Sequence, residues 1–314
     1  MNYNHFGELL KELRLSRNLT LDQLSEGVCS SRQLSRLEKG EFNPSIYILN
    51  QLSYKFNIDL QEYYKITFCD QTFQAYNYKF QCEQAIINCD VMLLRKLIEI
   101  METLQEFQSG ENLQYIFYGK ALCSSLIDKN YIQSIQYCNS GLLIEDSSFT
   151  INTMKYKIYS NVGLTLINCI AGNYSSLHNN TQALKILEDL YLIMHDQINN
   201  TPFKMYLSSS FNKKLYQNTT YNLSIAYMNL EQFDKSLDYT EEGISYSLKE
   251  NYLRFLPELL YQKMRLLYIM EKYSEAKDVY PIYQSFYQLC RSKEENEKHK
   301  IEIKENYPLL NINN

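Results

Sequence analysis

The sequence has no tryptophan and only five prolines and nine glycines in 314 residues. No proline falls between Pro44 and Pro202, so a long central stretch lacks the residue that most firmly ends a helix. No apolar run reaches the roughly twenty residues that a membrane-spanning helix needs. The opening segment MNYNHFGELLKELRLSRN contains no apolar core of signal-peptide length. A cytoplasmic chain that does not engage a membrane is expected. The eight cysteines (Cys29, Cys69, Cys82, Cys89, Cys123, Cys138, Cys169 and Cys290) include no CxxC pair, and the four histidines (His5, His178, His195 and His299) stand apart from one another. That spacing offers no metal site, and buried reduced thiols are the better expectation. Phosphate-binding, dinucleotide-binding and nucleophile-elbow motifs are all missing. The chain is therefore expected not to be an enzyme, with no catalytic residue, no metal and no cofactor. A Cys–His pair assembled only by folding is the one nucleophilic arrangement left open.

The formal net charge of -5 speaks against a nucleic-acid binder only if charge is spread evenly. Residues 14 to 39 hold Arg14, Arg17, Arg32, Arg36 and Lys39, while the acidic excess lies mainly further along. Around these cations the chain reads as short helices with tight turns. Phe6, Leu9, Leu10 and Leu13 follow the i, i+3, i+4, i+7 spacing of an amphipathic helix that ends at Asn18. Thr20 and Gln23 form a capping box for a second helix. Ser30 caps a third that runs to Lys39 and stops at Gly40, where a left-handed residue is expected. Pro44 and Ser45 start a fourth, and Asp59 caps a last short one over DLQEYY.

In the third helix, Leu34 and Leu37 are the only apolar residues between Ser30 and Gly40. LTLDQLSEGVCSSRQLSRLEKGEFNPSIYILNQLSYKFNI resembles the helix-turn-helix domain of the phage-repressor-like (XRE) transcription regulators. The shared frame is Leu19-Thr20, Leu24, Leu34-Ser35-Arg36-Leu37-Glu38-x-Gly40 and Asn43-Pro44-Ser45. A helix laid in the major groove presents base-reading groups from its N-terminal part. Ser31, Arg32 and Gln33 occupy that edge and Arg36 follows one turn later. Arginine can fork onto guanine and glutamine onto adenine. Ser35, Lys39 and the second helix's N-terminus with Gln23 are placed for phosphates. The resemblance also implies that Arg14 and Glu38 are an internal ion pair rather than DNA contacts. Leu21 departs from the family, where a phosphate-contacting glutamine is common.

Beyond residue 67 the pattern is helical almost throughout, so an all-α chain is expected: a five-helix DNA-binding domain over 1–66 and a helical repeat domain over 67–314. Four segments align: YIQSIQYCNSGLL (131–143), NTQALKILEDLYL (180–192), FDKSLDYTEEGIS (233–245) and YSEAKDVYPIYQS (273–285). Each has a small residue fourth (Ser134, Ala183, Ser236, Ala276), which lets antiparallel helices approach closely. Residues 221–244 resemble a tetratricopeptide repeat. The spacing between units exceeds the usual period of roughly 34 residues, and an insertion is expected around GNYSSLHNN. A generic helical bundle is the plainer alternative. In a solenoid, Lys120, Asn161, Asn222 and Gln262 fall at similar first-helix positions. There they would form an amide ladder for a peptide backbone, with tyrosines such as Tyr227 supplying apolar pockets. The final RSKEENEKHKIEIKENYPLLNINN reads as a solvated helix and tail.

This pairing of domains resembles the peptide-pheromone-responsive regulators of Gram-positive bacteria, the RRNPP group, and within it the PlcR and Rgg types. The resemblance implies a quorum-sensing homodimer that binds a double-stranded DNA operator and a short signalling peptide. Two alternatives remain: a helix-turn-helix regulator whose repeats hold a protein partner, and a repeat scaffold without DNA binding.

Overall fold

The computed structural model describes residues 5–61, 63–64, 72–199, 210–290 and 293–310. Among these residues every regular element is a helix. The chain divides into two compact units, Met1–Ile127 and Asp128–Asn314. The boundary expected between residues 66 and 67 lies outside the described residues.

The first unit begins with α1 (Phe6–Ser16), α2 (Leu21–Ser25), α3 (Ser31–Glu38) and α4 (Ile46–Phe56). Their ends are fixed where the cap residues predict. Asn18 takes φ 54° after α1, and Gly40 takes φ 72° after α3. The amides of Gln23 and Ile48 bond to the Thr20 and Ser45 hydroxyls. The short helix expected over 59–64 is present at 60–61 and 63–64, with Asp59 accepting from the Gln61 amide; Glu62 lies outside the described residues. Leu10, Leu24, Leu34, Leu52, Phe56 and Leu60 are fully enclosed and form one core. Gly7 permits the close crossing of α1 over α3, because a Cβ there would overlap the Leu37 carbonyl oxygen. Phe73, the first residue of α5 (Phe73–Ile87), joins this core. Helices α6 (Val91–Met101) and α7 (Gly110–Leu126) complete the unit.

The second unit is a succession of antiparallel pairs: α8 (Tyr131–Glu145), α9 (Asn161–Ser176), α10 (Asn180–Asn199), α11 (Ser210–Asn229), α12 (Phe233–Lys249), α13 (Leu256–Ile269) and α14 (Tyr273–Cys290). The four aligned segments begin where α8, α10, α12 and α14 begin. Ser134, Ala183, Ser236 and Ala276 are all completely buried. At α11–α12 the contact is tight enough that the Ser236 hydroxyl donates to the Ser224 carbonyl at 2.6 Å, and the Ser224 and Thr240 hydroxyls meet at 2.6 Å. A methyl at Gly243 would press on Thr220 and Leu259 at 2.8 Å. Stacked small-residue helix pairs of this kind are tetratricopeptide-like packing.

Three expectations are corrected here. GNYSSLHNN is not an insertion: α9 continues through Ser176, and a short turn with His178 at φ 59° leads into α10. Extra length lies instead before α9, in the connection that contains the 3-10 turn Met154–Tyr156. The chain's end is not a solvated tail, because Ile303, Tyr307 and Leu310, carried by α15 (Lys293–Asn306) and the turn after it, are buried against α13 and α14. Among the described residues no disulfide joins the cysteines, but Cys89 is exposed, while Cys82, Cys123 and Cys138 are buried; Cys69 and the Cys290 side chain lie outside the described residues. Among the described residues no helix is long and apolar enough to cross a membrane, and no group of side chains has the makings of a metal site.

Candidate nucleic-acid interface and repeat-domain polar sites

Helix α3 is short, and two of its residues decide which way it faces. Leu34 and Leu37 are buried in the core, and Glu38 beside them is only 6 % exposed. With roughly 100° between successive side chains, Arg32, Ser35, Arg36 and Lys39 then form one stripe on the opposite side. Arg32, Arg36 and Lys39 are exposed. Glu38, the only acidic residue of α3, is turned inward and neutralised: its carboxylate accepts from Arg14 Nε at 2.6 Å and Nη2 at 2.8 Å. Arg14 also donates from Nη1 to the Leu19 carbonyl at 2.9 Å, and its hydrogen bonds to Glu38 raise the guanidinium pKa above its already high value. The outward face of α3 thus carries three cations and no anion. The expected internal ion pair is present and keeps Glu38 off that face; the anion beside it is Glu41, in the segment after α3.

The other expected contacts divide. Ser31 faces back toward α2: its hydroxyl donates to Asp22 Oδ1 and lies 3.1 Å from the Ser25 hydroxyl. It fastens the turn between the two helices. Gln33 is exposed, but its amide oxygen accepts from the Ser30 backbone amide at 3.1 Å, the return half of a second capping box. A two-bond reading of adenine by Gln33 would require that cap to open. Gln23 does the same for Thr20 at 2.8 Å, leaving its Nε2 hydrogens for a phosphate at the start of α2. Leu21 spends its side chain on the core. Arg36 donates from Nε to Glu41 at 2.9 Å, and its guanidinium lies 5.7 Å from the centre of the Phe42 ring.

One supporting residue has no signal in the sequence. Lys55 of α4 donates to the carbonyls of Gln23, Leu24 and Glu26, at 3.2, 3.0 and 2.5 Å, and so caps the C-terminal end of α2. Cys29, in the turn before α3, is partly buried, and burial pushes its thiol pKa up.

The five repeat-domain candidates do not form a ladder. Lys120, in the first unit, pairs with Glu102 at 2.5 Å. Asn222 and Gln262 each sit about two turns before the end of their helix. The corresponding residue of α9 is Cys169, because the turn after α9 is short, and Asn161 is instead the exposed first residue of that helix. Asn222 Nδ2 donates to Asn168 Oδ1 at 3.1 Å, joining α11 to α9. Gln262 is 1 % exposed and donates to the Ser224 hydroxyl at 3.2 Å, so it serves helix packing and faces no ligand. Tyr227 is likewise buried: its hydroxyl donates to Glu188 at 2.5 Å and its ring stacks on Tyr239 at 5.4 Å. Nearby, Glu242 receives the hydroxyls of Tyr191, at 2.7 Å, and Tyr216. Burial raises the pKa of all three tyrosines, which keeps them protonated donors tying α10, α11 and α12 together. Asn168 and Asn173 are polar residues buried in an otherwise apolar helix, and that contrast was the available signal for them.

Comparison with known proteins agrees with this geometry. The Helix-turn-helix family model matches residues 10–63, which span α2 and α3 and their flanking helices. Over almost the whole chain the fold is similar to that of PlcR from Bacillus thuringiensis. The structure of PlcR with the peptide PapR7 and DNA superposes with a TM-score of 0.72 at 20 % identity, covering 96 % of this chain and 99 % of that one. The apo form of PlcR gives 0.58 at 18 % identity, covering 93 % and 96 %. The apo form of the competence regulator ComR from Streptococcus vestibularis gives 0.51 at 14 % identity, covering 96 % and 97 %. No curated protein matches the sequence.

Proposed function

We propose that this protein is a cytoplasmic, homodimeric transcription regulator that reads an operator through α3 and is controlled by a short signalling peptide. In this reading residues 1–66 bind DNA, and residues 67–314 bind the peptide and dimerise. The observation that carries it is the outward face of α3, on which Arg32, Arg36 and Lys39 stand exposed while Glu38 is buried against Arg14. Phosphate neutralisation by such cations supplies affinity and base-edge contacts supply selectivity. Dimerisation follows from the size of the reading head, since paired half-sites are the usual remedy for one small helix in one groove.

Support for the peptide comes from the repeat architecture, shared with a protein solved in complex with a peptide and DNA. Within the second unit the amides that remain candidates for a peptide backbone are the exposed Asn161 and the half-buried Asn222. A peptide regulates only by binding one arrangement of the protein better than another. The test is fluorescence anisotropy of the full chain on its own upstream DNA, across a salt series, with and without short peptides encoded nearby. Specific binding that a peptide shifts supports the reading. Specific binding that no peptide alters would move the repeats to a protein partner, and no binding across a genomic fragment library would leave a scaffold.

A further inference from the structure

We infer that Glu41 is a positioning residue for DNA reading: it holds Arg36 so that only the outer two nitrogens of the guanidinium face the base. This rests on the proposed DNA-binding function and concerns a residue outside the recognition helix itself. Arg36 is tied to the segment after α3 in three ways. The Glu41 amide donates to the Arg36 carbonyl at 3.0 Å, closing the end of the helix around Gly40. Glu41 Oε2 accepts from Arg36 Nε at 2.9 Å. The guanidinium also lies 5.7 Å from the centre of the Phe42 ring, and Phe42 is itself packed on the domain core.

The pair does little for the fold. Both side chains are about half exposed, 53 % for Arg36 and 45 % for Glu41, and ion pairs at such exposure add little stability. Its consequence is geometric. Arginine has five N–H donors in a rigid fork and can offer an acceptor pair either Nε with one Nη or both Nη groups. With Nε engaged by Glu41, the second presentation alone remains, and it suits the O6 and N7 acceptors of guanine. Holding the side chain beforehand also reduces the rotamer freedom lost on docking. A carboxylate near the phosphate backbone would otherwise only repel it, so an exposed glutamate here has a role or a cost, and the two are separable.

The experiment is enrichment of a randomised duplex library by the full-length protein, comparing the wild type with Arg36→Ala, Glu41→Ala and Glu41→Gln. Arg36→Ala should flatten the preference for guanine at one position of the site. Glu41→Ala should weaken the preference at that same position by about fivefold, the low end of what a forked arginine–guanine contact discriminates. Its salt dependence should stay unchanged, and Glu41→Gln, which keeps an acceptor for Nε, should recover part of the preference. If Glu41→Ala and Glu41→Gln both tighten binding to all sequences alike, Glu41 acts by repulsion and the inference is wrong. It is equally wrong if Glu41→Ala leaves the Arg36 position untouched. Failure of the wild type to enrich any sequence would instead overturn the DNA-binding reading beneath it.

Discussion

Replacing Glu38 by alanine leaves the Arg14 guanidinium buried without its counter-charge. Arg14 and Glu38 side chains are only 10 % and 5 % exposed, and both oxygens of the carboxylate are engaged, by Nε and by Nη2. Removing one member of such a pair costs about 3–5 kcal/mol. A domain of about sixty residues holds about 3–9 kcal/mol in total, at roughly 0.05–0.15 kcal/mol per residue. Glu38→Ala should therefore unfold the reading head or bring it close to unfolding, while the second unit stays intact. Hydrogen exchange followed by mass spectrometry measures both at once: amides of α1 and α3 should exchange about a hundredfold faster or more, and those of α9 to α13 at their original rates. The double change Arg14→Met/Glu38→Leu removes both charges and keeps apolar volume, so it should restore most of the lost protection. Protection in α3 that falls less than about tenfold in Glu38→Ala, or a double variant no better than the single one, would refute the reasoning.

Gly7→Ala introduces a methyl that overlaps the Leu37 carbonyl oxygen, so α1 must move off α3; a loss of about 1–3 kcal/mol is expected in thermal or urea unfolding of the reading head. Arg32→Ala should weaken DNA binding and relax selectivity at one base pair, whereas Lys39→Ala should weaken it evenly across sequences and lower the salt slope by about 1; anisotropy on matched and altered duplexes separates them. Asn222→Ala should reduce peptide affinity and also cost about 1–3 kcal/mol of stability, because it leaves the buried Asn168 oxygen without its donor. Gln262→Ala should destabilise the repeats by about 1–3 kcal/mol at unchanged peptide affinity, since it removes an enclosed donor to the Ser224 hydroxyl. Lys157 and Ser148 hold Asp146 below the usual carboxylate range. A carboxylate depressed in the folded state contributes stability that is complete above its unfolded pKa, about 3.9, and is lost as pH falls through its folded value. Acid unfolding of Asp146→Asn should accordingly show a flatter limb below pH ~4 than the wild type.

What was legible in the sequence is what local rules govern. Caps at Thr20, Ser30 and Ser45, the left-handed Gly40 and the spacing of Leu34 and Leu37 are each decided within one turn of chain. The burial of Ser134, Ala183, Ser236 and Ala276 follows from repeated spacing, which compares the chain with itself. Most misreadings at the candidate sites concern where a polar side chain goes once distant helices meet. Gln262 is enclosed because Ser224, on another helix, offers it an acceptor. Ser31 turns inward because Asp22 and Ser25 lie across the turn. Asn161 falls out of register because GNYSSLHNN, which reads as an insertion, is mostly helix: α9 and α10 are joined by three residues, as are α11–α12 and α13–α14. Lys55 caps α2 from a helix two elements away. None of these partners is marked by spacing.

The two capping boxes have a chemical consequence for anything that meets the reading head. Both glutamines hold a backbone amide with their carbonyl oxygen, so what each offers outward is chiefly its Nε2 hydrogens. Arg32, Arg36 and Lys39 have no acceptor at all. Ser35 and the second oxygen of Glu41 aside, this surface mainly gives hydrogen bonds. Guanine shows the major groove two acceptors and no donor, adenine one of each, and cytosine a donor. A surface with this excess of donors should favour half-sites rich in guanine on the strand it faces over those whose edges need an acceptor in return.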